Sequence, residues 1–447
     1  MHNLKIKNVR CYTNKEIEFR RGINVLIGDN SVGKTSLLRA CSLVMNAFFA
    51  GYSEKYTRWE SAGNKDFHFW YNANGLRQIA PKMEIEFDVY DSDLPPIINA
   101  DGNEVSLKAD ATFKIEKKSK KNSNPLKTGI KELVSYGKEL KDNSHILTGE
   151  GLIQKNSLPV YAVFSTDDIH SQTRKFDKTG FRDEAQIPSF GYFKCVDTRA
   201  LFGLWIKRML VLQETESFTE LNNVVSALLD TFGKDGCGIL SDVKLFVNKK
   251  TVAFVQTDGR VIDFDYLSDG YCRLFNIVID IAFRCALLNK GIHGERAYKH
   301  THGTVIIDEI DEHLHPELQV RILKALHNTF PKIQFIVSTH APLVMSSVET
   351  NEDNVVFKLE YKNGTYTHTE LNTYGLDANL LLKEGMEAVV RDTKASKLFE
   401  KLDSFIKLKD IANAKTVLAE LEELTDPQQP ELVRVRAIIN RIELIGR

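Results

Sequence analysis

The chain has 447 residues, 43% of them hydrophobic and 27% charged, with a formal net charge of -1. That is ordinary globular composition with ample core. It argues against a strongly basic DNA-coating protein, while leaving room for a local basic patch. The six cysteines are scattered with no C-x-x-C pair, so neither a zinc ribbon nor a disulfide framework is indicated.

A reducing, cytoplasmic setting fits that cysteine usage. The opening MHNLKIKNVR lacks the apolar run of a signal peptide. No stretch approaches the roughly 18 apolar residues that span a membrane. No membrane partner is expected.

In chain order, LKIKNV alternates as a strand, and INVLI is the short apolar run of a buried strand. A glycine-containing loop follows, then the helical TSLLRACSLVMNAFF. MEIEFDVY (83–90) and VSLKADATFKIEK from Val105 alternate strictly. With Asp101-Gly102 as a turn signal between them they read as an antiparallel hairpin or meander. Residues 117–146 are lysine-rich and poorly periodic, the best candidate for a mobile insertion.

LPVYAVFS from Leu158 reads as a strand and 199–231 as helical. A helix from about Cys272 to Leu288, the strand TVIID, a helix from Pro316 and the strand IQFIVS complete the pattern. Strands alternating with helices predict an α/β fold with a parallel sheet. The tail after Lys394 shows helical spacing in three segments. Leu398, Leu402 and Phe405 mark the first; Ile411, Ala414, Leu418 and Leu421 the second; Leu432, Val435, Ile439 and Ile442 the third. The expected division is therefore 1–390, with an insertion at about 50–255, and a helical appendage over 391–447.

GDNSVGKT (28–35) satisfies G-x-x-x-x-G-K-[ST] between a predicted strand and a predicted helix, the context the motif needs. Gly28 and Gly33 let successive N–H groups curl inward around a phosphate, and the helix N-terminus adds its positive end. Lys34 supplies a charge for the β- and γ-phosphates, and Thr35 a hydroxyl for Mg²⁺. Asn30, Ser31 and Ser36 complete this set of ATP-binding candidates.

TVIIDEIDEHLHP (304–316) ends an apolar strand in acids. Asp308 is placed to reach the Mg²⁺ held by Thr35. Glu309 is the candidate base that polarises water for in-line attack. IQFIVSTH closes on His340 at a strand's C-terminal edge, where ligands sit in open parallel sheets; His340 is the candidate γ-phosphate sensor. LSDGYCR (267–273) places Ser268 and Gly270 at a helix N-terminus, a second anion site. In one subunit it duplicates the phosphate loop. It becomes useful when it closes over the γ-phosphate bound by another subunit.

Together these residues resemble the ABC-type ATPase superfamily. GDNSVGKT matches its Walker A motif, TVIIDE its Walker B, LSDGYCR its signature motif and His340 its switch histidine. Asp269 and Ser31 depart from the glycines common at those places. The Q-loop glutamine stays open among Gln154, Gln172 and Gln78. LKIKNVR-x-Y and D-E-x-D-E-H-L-H-P are similar to the RecF, SMC and overcoming-lysogenisation-defect branch. The overall size, LSDGY and the short helical tail resemble the stand-alone ATPases of Septu-type anti-phage systems.

That resemblance implies an ABC-type P-loop fold with a mixed sheet. It implies a Mg²⁺-dependent ATPase working as a head-to-tail homodimer or higher homo-oligomer. Its ATP state would control a partner HNH-type nuclease, with the helical tail as docking surface. A RecF-like repair ATPase acting on DNA directly is the alternative; the lysines at 117–121 permit DNA contact.

Overall fold

Ile23–Ile27 is buried at every position and lies inside a six-stranded sheet of this computed structural model. The strand order is Val160–Phe164, Gly303–Ile307, Ile333–Ser338, Ile23–Ile27, Val355–Lys362 and Thr365–Leu371. The first five strands pair in parallel and the last antiparallel. Helices cover both faces of such a sheet, which is why VYAVF, GTVII, IQFIVS and INVLI are nearly continuous apolar runs. The structure describes residues 1–55, 57, 59–60, 62–90, 93–108, 111–119, 127–148, 151–166, 188–196, 201–382 and 393–445.

A second sheet is antiparallel, in the order Tyr12–Glu18, Asn3–Val9, Lys82–Phe87 and Phe113–Lys118. One face is buried and the other wet, so Lys82–Phe87 alternates strictly between half-buried and buried positions. The Asp101-Gly102 turn is present, with Gly102 at φ 81. It joins the two-residue strands Ile97–Ile98 and Glu104–Val105, an excursion between the longer strands that pair with each other.

The lysine-rich segment at 117–146 requires a correction. Its described residues carry regular structure: the end of Phe113–Lys118, a single turn at Lys127–Ile130 and the helix Lys131–Asn143. Leu133, Tyr136, Gly137 and Leu140 are its buried face. Lysines on the solvent face mask that helical spacing in the sequence. Residues 120–126 lie outside the described residues.

Asp269–His293 is a 25-residue helix, almost wholly buried from Arg273 to Asn289. Its internal charges are satisfied as burial demands. Arg284 Nε donates to Asp280 Oδ2 at 2.5 Å, and Trp205 Nε1 donates to Asp280 Oδ1 at 2.6 Å. Among the described residues, no helix is long and apolar enough to cross a membrane.

The chain divides into compact units at Leu376 and Asp377, where the sequence reading places a boundary at 390 and 391. The second unit holds the helices Thr393–Lys407, Ile411–Leu424 and Pro430–Ile445. Leu398, Leu402, Leu418, Leu421, Leu432 and Ile439 form its core, the positions picked out by helical spacing. Asp410 caps the middle helix by accepting from the Asn413 N–H at 3.2 Å.

The strand Tyr12–Glu18, which sequence reasoning misses, carries a lysine in the core. Lys15 is only 5% exposed, and its Nζ lies 2.8 Å from His368 Nδ1. Burial pushes its pKa down from 10.5 to about 8. Between those values the unfolded chain binds more protons than the folded one, so folding stability rises with pH across that window. Lys15→Met removes the buried charge while keeping the shape. Its thermal midpoint should exceed the parent's at pH 7, and the gap should close as pH approaches 10.5. A lower midpoint at pH 7 would contradict the burial cost.

Candidate functional site

The phosphate loop leaves the end of Ile23–Ile27 and enters the helix Lys34–Ala47. Gly28 and Gly33 take φ 139 and φ 100, and Ser31 takes φ 71. These are left-handed positions, which accounts for glycine being common where Ser31 stands. A Cβ on Gly28 would meet Leu359 O at 2.3 Å, and one on Gly33 would meet the Tyr12 hydroxyl at 2.4 Å. That hydroxyl donates to Gly33 O at 3.1 Å. The missed strand therefore underpins the loop. Asn30, Ser31 and Thr35 are exposed and Ser36 is half-buried.

Lys34 Nζ donates to Gly28 O at 2.8 Å and to Asp29 O at 3.0 Å. Burial lowers its pKa, opposed by the charges of Asp308, Glu309, Asp29 and Asp311. Four carboxylates thus act on one ammonium, a surplus of negative charge that suits a divalent cation.

Asp308 ties the loop to its neighbours. Thr35 Oγ1 donates to Asp308 Oδ2 at 3.1 Å, and Ser338 Oγ donates to Asp308 Oδ1. Ser338 Oγ also accepts from the Glu309 N–H at 2.8 Å. Glu309 itself takes φ 51, a left-handed turn directly after the strand, a conformation that clusters at functional sites. Asp311 Oδ1 accepts from Thr339 Oγ1 at 2.5 Å and from the His340 N–H at 3.3 Å. The parallel sheet thus brings the predicted residues of three adjacent strands to one edge. Thr35 and Asp308 are the pair that could hold Mg²⁺. Among the described residues no group of three or more His, Cys, Asp or Glu could hold a metal. Such an ion would complete its shell with phosphate and water, as Mg²⁺ commonly does.

Residues 23–346 match the family described as "AAA domain, putative AbiEii toxin, Type IV TA system". The chain belongs to this family. Its motifs and their order are those of an ABC-type ATPase. The chain is 32% identical to "Retron Vc95 probable ATPase" of Vibrio cholerae serotype O1 biovar El Tor, over 44% of this chain and 37% of that protein. It is 25% identical to "Septu protein PtuA" of Bacillus mycoides (strain KBAB4), over 54% and 30%. It is 31% identical to "Retron Ec83 probable ATPase" of Escherichia coli, over 39% and 32%. The matched part spans about a third of the length of each of these relatives.

In this ABC-type chain, Ser268 precedes the long helix as its exposed N-cap and makes no side-chain capping bond. Gly270 is buried against the loop after the acidic strand; a Cβ there would meet His313 O at 2.3 Å. Arg273, three residues on, donates to the Asp308 carbonyl and pairs with Glu312. The signature segment therefore grips, within one chain, the backbone that carries the carboxylates. Sequence reasoning did not single out Arg273.

Gln154 is not at this edge. Its Nε2 donates to Leu288 O at 2.7 Å and to Asn289 Oδ1 at 3.1 Å. Those positions lie about 27 Å along the helix from Gly270, at 1.5 Å per residue. Gln154 also precedes Val160, so it sits by the opposite end of the sheet. Gln172 lies outside the described residues. Gln78 lies on the short exposed strand Arg77–Ile79.

Next to Ser36 opens a cavity of about 700 Å³, lined by Arg10, Cys11, His68, Tyr361 and Tyr366 among others. Tyr361 and Tyr366 rings lie 4.6 Å apart on the strands Val355–Lys362 and Thr365–Leu371. Their turn, Asn363-Gly364, is left-handed at both residues, φ 53 and 79. Asn-Gly between alternating runs is the signal that finds this hairpin.

Arg273→Lys keeps the charge and loses the planar fork. Nucleotide affinity should change by less than about threefold, while phosphate release at saturating ATP falls about tenfold or more. Loss of affinity with unchanged turnover per bound ATP would contradict the coupling.

Proposed function

We propose that this chain is an ATP-binding and ATP-hydrolysing subunit of an anti-phage defence complex, and that its ATP state controls self-assembly and a partner HNH-type nuclease. The observation that carries the reading is Asp308 bridging Thr35 and Ser338. It supports a reading in which Thr35 and Asp308 are the metal-binding pair, with Glu309 as base candidate and His340 as sensor beside one phosphate loop. The names of the retron and Septu relatives support the defence setting.

In this reading the amides from Gly28 to Gly33 and the Lys34 ammonium hold the phosphates. The cavity beside Ser36 receives the nucleoside. Thr35 and Asp308 would hold Mg²⁺, which would supply positive charge to offset that of the phosphates. Glu309 accepts the proton of the attacking water. His340 contacts the γ-phosphate and reports its loss.

Ser268 and Gly270 of a second copy cover that phosphate. The uncapped Ser268 hydroxyl supports this, since it makes no bond to its own helix N-terminus. One chain holds one set, so two copies meet head to tail and close two such sites. ATP then acts as a clamp that hydrolysis releases. The helical unit at 377–447 is the proposed docking surface for the nuclease.

Three variants separate these roles. Lys34→Ala should abolish both ATP binding and ATP-driven assembly. Glu309→Gln should retain binding, lose about a hundredfold or more in phosphate release and accumulate the ATP-bound assembly. Ser268→Arg should bind ATP as the isolated chain does, yet form no larger species in sedimentation with ATP. Loss of ATP binding in Ser268→Arg would place Ser268 in its own chain's site. DNA cleavage by the nuclease partner should differ between ATP and a non-hydrolysable analogue; identical cleavage rejects ATP control.

A further inference from the structure

Between the cavity and the antiparallel sheet stands a hairpin that the nucleotide chemistry uses only at its root. It pairs Phe69–Tyr71 with Arg77–Ile79 in the register Phe69 to Ile79, Trp70 to Gln78 and Tyr71 to Arg77. Alternation puts Phe69, Tyr71, Arg77 and Ile79 on one face and Trp70 with Gln78 on the other. Trp70 is 47% exposed, Tyr71 66% and Leu76 61%. Exposed aromatic rings on both faces of one thin ribbon are costly to leave in water without a purpose.

The rings are presented rather than collapsed. An isolated two-stranded hairpin is marginal in water, but this one is anchored. The His68 N–H donates to Asn8 O at 3.0 Å, the Ala80 N–H to His68 O at 2.8 Å, and Phe67 bridges to Val9. The Arg77 guanidinium carbon sits 4.1 Å from the Phe69 ring centroid, and the His68 ring stacks on Trp70 at 6.2 Å.

The hairpin itself carries no acidic side chain. From Phe67 to Met83 the sequence contains no Asp or Glu, while Arg77 and Lys82 fall within it. The Ser119 N–H donates to Pro81 O at 3.0 Å, which brings the lysine-bearing end of Phe113–Lys118 against the hairpin root. Lys118, exposed, stands opposite Lys82 in the ladder. Arg77 lies on the hairpin itself and Lys118 beside its root.

We propose that this hairpin, with the adjoining Lys118 end of the neighbouring strand, binds single-stranded nucleic acid, its bases stacking on Trp70 and Tyr71 and its phosphates meeting Arg77 and Lys118. Separate π-faces interrupted by the polar Asn72, Asn74 and Gln78 suit successive unstacked bases. A protein partner would want one broad, continuous desolvated patch. A duplex keeps its bases stacked and cannot use the rings. The inference is independent of ATP-driven closure, because Trp70 and Tyr71 do not line the nucleotide cavity.

The test uses the full chain and a fluorescent 20-mer of thymidylate, read by anisotropy at low salt. The parent should bind it more tightly than a duplex of the same length, with affinity falling as salt rises. The double variant Trp70→Ala, Tyr71→Ala should lose at least about tenfold in single-strand affinity while binding ATP like the parent, which shows it is folded. Lys34→Ala should bind the oligonucleotide like the parent. In a Trp59→Phe background oligonucleotide should also quench tryptophan emission, and Trp70→Leu should remove that quenching; Trp205, fully buried, cannot supply it. Two results overturn the proposal: no binding, or equal oligonucleotide affinity for the double variant, and in the second case loss of self-association or of the nuclease partner would make the hairpin a protein-docking element.

Discussion

Asp308 holds one carboxylate oxygen on Thr35 and the other on Ser338, and the geometry of the whole edge follows from those two bonds. Hydrogen bonds to a charged group contribute about 1.5–3 kcal/mol each. They tie the ends of three neighbouring strands to one another, so the phosphate loop, the acidic turn and the strand-end histidine are joined by hydrogen bonds. The Ser338 hydroxyl relays the same constraint to the Glu309 backbone, and Asp311 relays it to Thr339 and His340. An ion entering between Thr35 and Asp308 would exchange the hydroxyl contact for metal ligation. Through Ser338 that change would bear on the Glu309 backbone.

The long helix Asp269–His293 gives this edge a lever. At its start, Gly270 lies against His313 O and Arg273 grips the Asp308 carbonyl and Glu312. At its far end, Gln154 and Asn289 pin it to the strands and turns before Val160. A 25-residue buried helix transmits displacement because a packed core does not deform continuously. Whatever Ser268 would touch in a second copy would, in the proposed assembly, be linked through this helix to the carboxylates of its own chain. In the proposed assembly, each of the two sites would sense the closure of the other.

The candidate site was legible because it is local. GDNSVGKT, TVIIDE and the Ser-Thr-His that closes IQFIVSTH each place their candidate residues within a few residues of a strand end, and apolar runs mark those strands. The helical tail was legible for the same reason, through Leu398, Leu418 and Leu432 and their partners at helical spacing. What stayed hidden is non-local or disguised. Lys15 occupies a core position and breaks the alternation of Tyr12–Glu18. The helix Lys131–Asn143 hides its buried leucines among lysines. The cavity beside Ser36 draws residues from positions 10 to 13, 36, 65 to 69 and 361 to 366, a set that no local spacing rule assembles. The hairpin Phe69–Tyr71 and Arg77–Ile79 has strands of three residues, too short for periodicity to register.

The most direct test of a site shared between two copies is complementation in a mixture. Lys34→Ala and Ser268→Arg each remove one half of it. In a mixed head-to-tail dimer, one site combines both lesions and the other combines two intact halves. Neither variant assembles with itself, so every dimer formed on equimolar mixing is mixed and has one good site of two; phosphate release should therefore rise to as much as about half of the parent rate per chain. Neither variant alone should show it. A mixture as inactive as its components, with Ser268→Arg folded and binding ATP and mixed dimers demonstrably formed, would contradict the shared site.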